Sequence, residues 1–92
     1  MKYHGVVRFL CKEEGGRNYP PLSGYKPHMK IGKEQTSCII TLKNNQDIME
    51  FNKDHDVYIE FQYESIFRDQ LVKGLNIGLY EGNKLIGHGY LV

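Results

Sequence analysis

The chain has 92 residues, enough for one hydrophobic core and too few for two, so a single domain over residues 1–92 is expected. Its apolar and charged fractions, 40% and 25%, are those of an ordinary soluble globular protein. A formal net charge of +1 excludes a strongly basic protein that binds polyanions through charge alone. No segment approaches the roughly 20 apolar residues of a membrane span, and the N-terminus lacks a signal-peptide core, so a cytoplasmic protein with no membrane partner is expected.

Charge is unevenly distributed along the chain. Residues 1–33 contain seven Lys or Arg and two Glu, whereas residues 34–72 contain three Lys or Arg and eight acidic residues. This asymmetry is compatible with a basic patch on the folded surface. It is equally compatible with two segments that neutralise each other across the fold, and the sequence leaves both interpretations open.

The composition favours strands, because Ala is absent while Tyr, Phe, Val and Ile are frequent. The strongest signal lies in the fourth predicted strand, where Val57, Ile59 and Phe61 alternate with polar neighbours. In chain order the predicted strands are 3–11, 28–31, 37–42, 56–63, 74–80 and 84–92. Residues 81–83 (EGN) predict a hairpin turn, and residues 65–72 predict an irregular segment or one helical turn at most.

Six short strands without crossover helices predict an antiparallel barrel or sandwich. Four glycines fall inside predicted strands, which suits a tightly curved barrel because a missing side chain permits bending or close packing. These glycines are Gly5, Gly78, Gly87 and Gly89.

Residues 11–32, CKEEGGRNYPPLSGYKPHMKIG, contain all three prolines and are too broken for a helix. The segment KEEGGRNYPPLSGYKP (12–27) resembles the opening of the C-terminal β-barrel of elongation factor Tu, whose pattern is close to EEGGRHTPFFSGYRPQF. The segment GLNIGLYEGNKLIGHGYLV (74–92) is similar to that family's GLRFAIREGGRTVGAGVV. The likeness is weak over residues 43–72. The resemblance implies a six-stranded antiparallel barrel corresponding to the factor's third domain alone, without its GTPase domain and second barrel.

In that family the barrel contacts the T-stem backbone of aminoacyl-tRNA, so the resemblance also implies a set of RNA- or partner-binding residues. Three of them keep the family's residue and four replace it by another polar or basic one. Those kept are Arg17, Glu81 and Gly82; those replaced are Asn18 for His, Lys26 for Arg, His28 for Gln, and Ser37 for Thr. Cations suit phosphates and small polar groups suit ribose hydroxyls. Tyr80 and Asn83 depart from the family's Arg and Gly at the same turn.

The sequence offers little for catalysis. No GxxxxGK[ST] motif is present, so binding or hydrolysis of GTP is not expected. Cys11 and Cys38 lack metal-ligand spacing and are expected to be buried thiols, and the four histidines are scattered. A non-enzyme with no cofactor and no metal is therefore predicted.

Two kinds of binding module remain open. The first binds tRNA or another structured RNA through the basic loop. The second is a protein-interaction module that mimics the factor's third domain toward a partner protein, and either could act as a monomer or a weak homodimer. A purely structural interpretation pairs Arg17 with Glu13 or Glu14 and assigns Tyr25 to packing of the loop.

Overall fold

A computed structural model describes residues 2–92, which form a closed barrel of six antiparallel strands. This confirms the predicted all-β, six-stranded architecture. Around the barrel the strand order is β1-β4-β3-β2-β5-β6, and every neighbouring pair is antiparallel. The strands are β1 (Lys2–Phe9), β2 (His28–Ile31), β3 (Glu34–Leu42), β4 (His55–Phe61), β5 (Asn76–Glu81) and β6 (Lys84–Leu91).

Helical structure is confined to short turns, as the sequence predicted. The α-helix α1 (Glu64–Phe67) has four residues and runs into a 3-10 turn at Arg68–Gln70, and a second 3-10 turn covers Lys12–Glu14. Within the described chain, no helix is long and apolar enough to cross a membrane.

The predicted strand limits were correct to within three residues. The first strand ends at Phe9 rather than at residue 11, because the 3-10 turn follows closely. The third begins at Glu34 rather than at residue 37, since β2 and β3 are joined by a two-residue hairpin turn in which Gly32 has a φ of 62°. Glycine adopts that backbone conformation without steric cost.

The core fills the barrel with the side chains that point inward from alternating strand positions. In β4, Val57, Ile59 and Phe61 are buried while Tyr58 and Glu60 face outward, as the alternation predicted. Two residues outside the strands also contribute, since Met49 and Phe67, the last residue of α1, are buried in the same cluster. Cys38 is buried among these side chains, whereas Cys11 is only partly covered, so the expectation of two buried thiols holds for Cys38 alone.

Glycine permits the close contact between β1 and β6 that closes the barrel. A Cβ atom on Gly89 would lie 2.0 Å from the carbonyl oxygen of Val6, and one on Gly5 would lie 3.1 Å from the carbonyl oxygen of Tyr90. The prediction that these strand glycines serve a tightly curved barrel is therefore confirmed at both positions.

The proline-containing segment between β1 and β2 is ordered by hydrogen bonds to the strands beside it. Cys38 N–H donates to the Pro27 carbonyl at 3.1 Å, and Ile40 N–H donates to the Tyr25 carbonyl at 2.8 Å. The segment therefore extends β2 along the part of β3 that β2 itself does not reach. Proline fits here because only its carbonyl is used, and it has no N–H to leave unpaired.

Candidate functional site

Arg17 lies at the end of β5, where it contacts a residue that is distant from it in sequence. Its Nη1 donates to the carboxylate of Glu81, its Nε donates to the carbonyl of Tyr19 at 3.0 Å, and its guanidinium carbon lies 4.7 Å from the centroid of the Tyr25 ring. The alternative interpretation, in which Arg17 pairs with Glu13 or Glu14, is therefore wrong as to the partner. The reason is that the loop turns back over the barrel and brings Arg17 to the β5–β6 turn.

The ring of Tyr25 packs against the guanidinium of Arg17. Its hydroxyl donates to the same Glu81 carboxylate, and its ring meets the ring of Phe9 edge-on, with centroids 5.9 Å apart. Partial burial and the hydrogen bond to Glu81 raise the pKa of the Tyr25 phenol above its ordinary value. The expectation that Tyr25 packs the loop is confirmed, and it additionally orients Glu81.

A polar pocket of about 250 Å³ opens beside this cluster. It is lined by Arg17, Asn18, Tyr19, Glu81 and Lys84. Lys84 is the strand partner of Glu81 across the hairpin. Among residues 2–92 no carboxylate lies within 4.0 Å of the Lys84 ammonium. The pocket therefore presents two cations against one carboxylate, which favours an anionic ligand.

A second cavity, of about 380 Å³, lies along β3. Lys26 and Ser37 line it together with Cys38, Ile39 and Gln62. Burial raises the pKa of the Cys38 thiol to about 12. A thiol that remains protonated at neutral pH is a poor nucleophile, so this cavity offers a cation and a hydroxyl rather than a reactive group.

His28 lies on β2, between the strand that lines the second cavity and the strand that ends at the polar pocket. On the barrel surface its Cα partner is Ser37 of β3 on one side and Tyr80 of β5 on the other, next to Glu81. His28 is exposed, as is Lys26 two residues earlier. The seven residues implied by the resemblance thus lie along one continuous band, from Ser37 to the β5–β6 turn, which we call the loop band. It consists of Arg17, Asn18, Lys26, His28, Ser37, Glu81 and Gly82.

The sequence interpretation did not include Tyr19 and Lys84, which also line the polar pocket. The hairpin predicted at residues 81–83 was a usable signal for Lys84, since a two-residue turn places the residues on its two sides opposite each other. Tyr19 carried no comparable signal, because its position depends on the path of the loop.

Metal ligands do not cluster in the part of the chain that the structure describes: no three His, Cys, Asp or Glu side chains converge there. The surveyed protein-family models include none that matches this chain.

Proposed function

We propose that this protein is a noncatalytic module that binds the backbone of structured RNA, such as the T-stem or acceptor stem of a tRNA, through the loop band. The observation that carries the proposal is the convergence of Arg17, Asn18 and Lys84 around the Glu81–Gly82 turn, although Arg17 and Lys84 are 67 positions apart in sequence. Two cations and an amide in one open pocket suit a phosphate and its ribose.

The chemistry of the loop band fits an A-form helix. Such a helix presents phosphates and 2′-hydroxyls across a wide, shallow minor groove, and proteins recognise it by shape more than by sequence. Lys26 and Lys84 offer ammonium groups for phosphate, and Ser37 and Asn18 offer small groups that both donate and accept hydrogen bonds. The resemblance to the tRNA-binding barrel of elongation factor Tu supports the same ligand.

Affinity is expected to be weak and strongly dependent on salt. The protein has a net charge of +1, so its acidic residues offset most of the attraction that its cations exert on a polyanion. Each phosphate contact adds close to one unit to the slope of log K against log salt concentration. Arg17 is expected to bind phosphate less strongly than a free arginine, because one of its nitrogens is already paired with Glu81.

The proposal is tested with fluorescently labelled tRNA at low ionic strength. We expect the double variant Arg17→Ala, Lys26→Ala to weaken binding at least about tenfold and to reduce the salt slope by about two. The matched control is Lys43→Ala, Lys53→Ala, which removes the same number of charges away from the loop band. No binding by the unaltered protein, or equal losses in the two double variants, would refute a localised RNA site.

A second candidate function, binding of a partner protein, is favoured by an exposed aliphatic pair beside the same loop. Leu22 and Ile48 form an isolated antiparallel bridge and are 60% and 50% exposed. Paired apolar side chains on a surface are typical of protein contacts. The test is affinity capture from a nuclease-treated lysate, in which a specific partner must be retained by the unaltered protein and lost by Leu22→Ser, Ile48→Thr.

A further inference from the structure

On the outer wall formed by β2, β5, β6 and β1, three basic residues line up across the sheet, one each on β2, β6 and β1, with Gly78 of β5 between the first two. Lys30 is the Cα partner of Gly78, Gly78 is the partner of His88, and His88 is the partner of Arg8. Lys30 and His88 are exposed, and Arg8 is half-buried. Because strand partners lie side by side on one face of a sheet, these residues form a continuous line, which we call the basic row.

A tyrosine lies on each side of the basic row. On one side of the row, Tyr80 is two residues from Gly78 along β5. On the other side, Tyr90 is two residues from His88 along β6 and is the strand partner of Asn76. Tyr90 is 45% exposed and Tyr80 is half-buried. Outward-facing aromatic rings on neighbouring strands are the groups on which unpaired bases stack in sheet-based nucleic-acid binding proteins.

The absence of a side chain at Gly78 allows the ring of Tyr80 to lie over the basic row. A Cβ atom on Gly78 would lie 3.0 Å from Cε1 of Tyr80, so the ring occupies the space that a side chain would otherwise fill. The ammonium of Lys30 is 5.2 Å from the centroid of the same ring. An aromatic surface and a cation are thus side by side, as a nucleotide's base and phosphate require.

Charge separates this wall from the opposite one. Within the described chain, the basic row and the outward positions two residues from it on these strands contain no Asp or Glu; Glu81 ends β5 next to Tyr80, and the carboxylate paired to the row is Asp54, 2.9 Å from Arg8 at its β1 end. On the opposite wall, β4 places Asp56 and Glu60 outward. The anionic ligand is therefore favoured on the wall that bears the basic row.

We propose that this wall binds a single-stranded nucleic acid, with phosphates along Lys30 and His88 and bases stacked on Tyr80 and Tyr90. The inference rests on the proposed RNA-binding function for its ligand class. It deepens that function, because the protein would bind unpaired nucleotides as well as the backbone of a duplex. It uses different side chains from the loop band. The two sites adjoin where His28 and Tyr80 are strand partners, so one RNA could pass from stem to unpaired end across both.

The experiment measures binding of labelled oligouridine and oligothymidine, each of about 12 nucleotides, at low salt. Both are expected to bind, because phosphates and base faces are common to RNA and DNA. Tyr80→Leu with Tyr90→Thr is expected to weaken both about tenfold or more, since stacking on an aromatic ring contributes on that order per base. Lys30→Gln, which leaves both rings in place, is expected to weaken binding and to reduce the salt slope.

The matched control is Tyr58→Leu on β4, which is three strands from β5 and two strands from β6 around the barrel. That tyrosine also lies under cations, with the ammonium groups of Lys2 and Lys43 each 5.4 Å from its ring centroid. Its replacement is expected to leave oligonucleotide binding unchanged. An equal loss in Tyr58→Leu, or no binding of either oligonucleotide by the unaltered protein, would overturn the proposal.

The two proposals fail separately. The Arg17→Ala, Lys26→Ala variant is expected to lose tRNA binding and to retain oligouridine binding. If Tyr80→Leu, Tyr90→Thr does not fold, as judged by circular dichroism, Lys30→Gln and Tyr90→Thr alone carry the test. Unchanged oligouridine affinity in both of those variants would refute nucleic-acid binding by the outer wall of β2, β5, β6 and β1. It would leave the proposed RNA site in the loop band unaffected.

Discussion

The hydroxyl of Tyr25 donates a hydrogen bond to the carboxylate of Glu81, 56 residues further along the chain. Arg17 donates to the same carboxylate and lies over the Tyr25 ring. One acidic side chain at the end of β5 thereby holds two points of the long loop that precedes β2. The consequence is that the loop's basic residues are presented beside the β5–β6 turn instead of being spread along a flexible segment.

Removing the negative charge of Glu81 is expected to strengthen tRNA binding. Glu81→Gln eliminates the one carboxylate that lines the polar pocket and releases Nη1 of Arg17 for phosphate, while a glutamine oxygen can still accept from Tyr25. The expected gain is about two- to fivefold, the range for a partly exposed ion pair. Glu60→Gln on β4 is the control for net charge. Weaker binding by Glu81→Gln would mean instead that this side chain contacts the RNA directly, as the resemblance implies.

Tyr25 is expected to make stability sensitive to alkaline pH. Burial and the hydrogen bond to Glu81 raise its phenol pKa, so the folded state retains the proton more tightly than the unfolded chain. The stability from this group is complete below the ordinary tyrosine pKa of about 10 and is lost as pH rises above it. Urea unfolding at pH values of about 8 and 11 should therefore show a smaller fall for Tyr25→Phe than for the unaltered protein. Equal falls would contradict this role.

The closure of the barrel between β1 and β6 is expected to tolerate no side chain at Gly89. Gly89→Ala would place a methyl group 2.0 Å from the Val6 carbonyl oxygen, and we expect a loss of about 3 kcal/mol in the free energy of unfolding. The control is Gly15→Asn, which occupies a left-handed position (φ 86°, ψ 8°) with no atom within 4 Å of a Cβ. Asn adopts that conformation at small cost, so a loss of about 1 kcal/mol or less is expected. Similar losses in the two variants, measured by chemical denaturation, would argue against a steric requirement at Gly89.

The two thiols are expected to differ in reactivity. Cys38 is buried and its pKa is raised to about 12, whereas Cys11 is partly exposed and its pKa is raised mainly by a hydrogen bond to Glu14. Because the thiolate is the reactive form, a maleimide at neutral pH should label the folded protein once, at Cys11, and the urea-unfolded protein twice. Mass spectrometry counts the labels, and Cys11→Ser should remain unlabelled while folded. Rapid labelling of Cys38 in the folded protein would show that the barrel opens at β3.

Much of the fold follows from local patterns in the sequence. The alternation of Val57, Ile59 and Phe61 with polar residues specifies a strand with one buried face, because successive side chains in a strand point to opposite sides. The glycine at position 82 marks a tight hairpin, since a two-residue turn needs a positive φ that glycine supplies. Both signals depend only on residues within a few positions of each other, and both were correct.

The site depended on contacts that local patterns do not contain. The sequence identified Arg17 as a candidate through resemblance, and the ion-pair partners it offered as an alternative were the neighbours Glu13 and Glu14, because sequence proximity is the only distance a sequence provides. The tertiary structure assigned it to Glu81 and Tyr25. The sequence did not predict the basic row for the same reason. The alignment of Lys30, His88 and Arg8 can be recognised only from the strand order and register.

The sequence by itself therefore determined the number and approximate limits of the strands and the buried face of those with clear alternation, because side-chain alternation and turn chemistry act over a few residues. The tertiary structure decided which distant residues share a surface. Closing the barrel in the order β1-β4-β3-β2-β5-β6 places the loop before β2 beside the last hairpin. That juxtaposition, which no local propensity encodes, creates both the loop band and the wall that adjoins it.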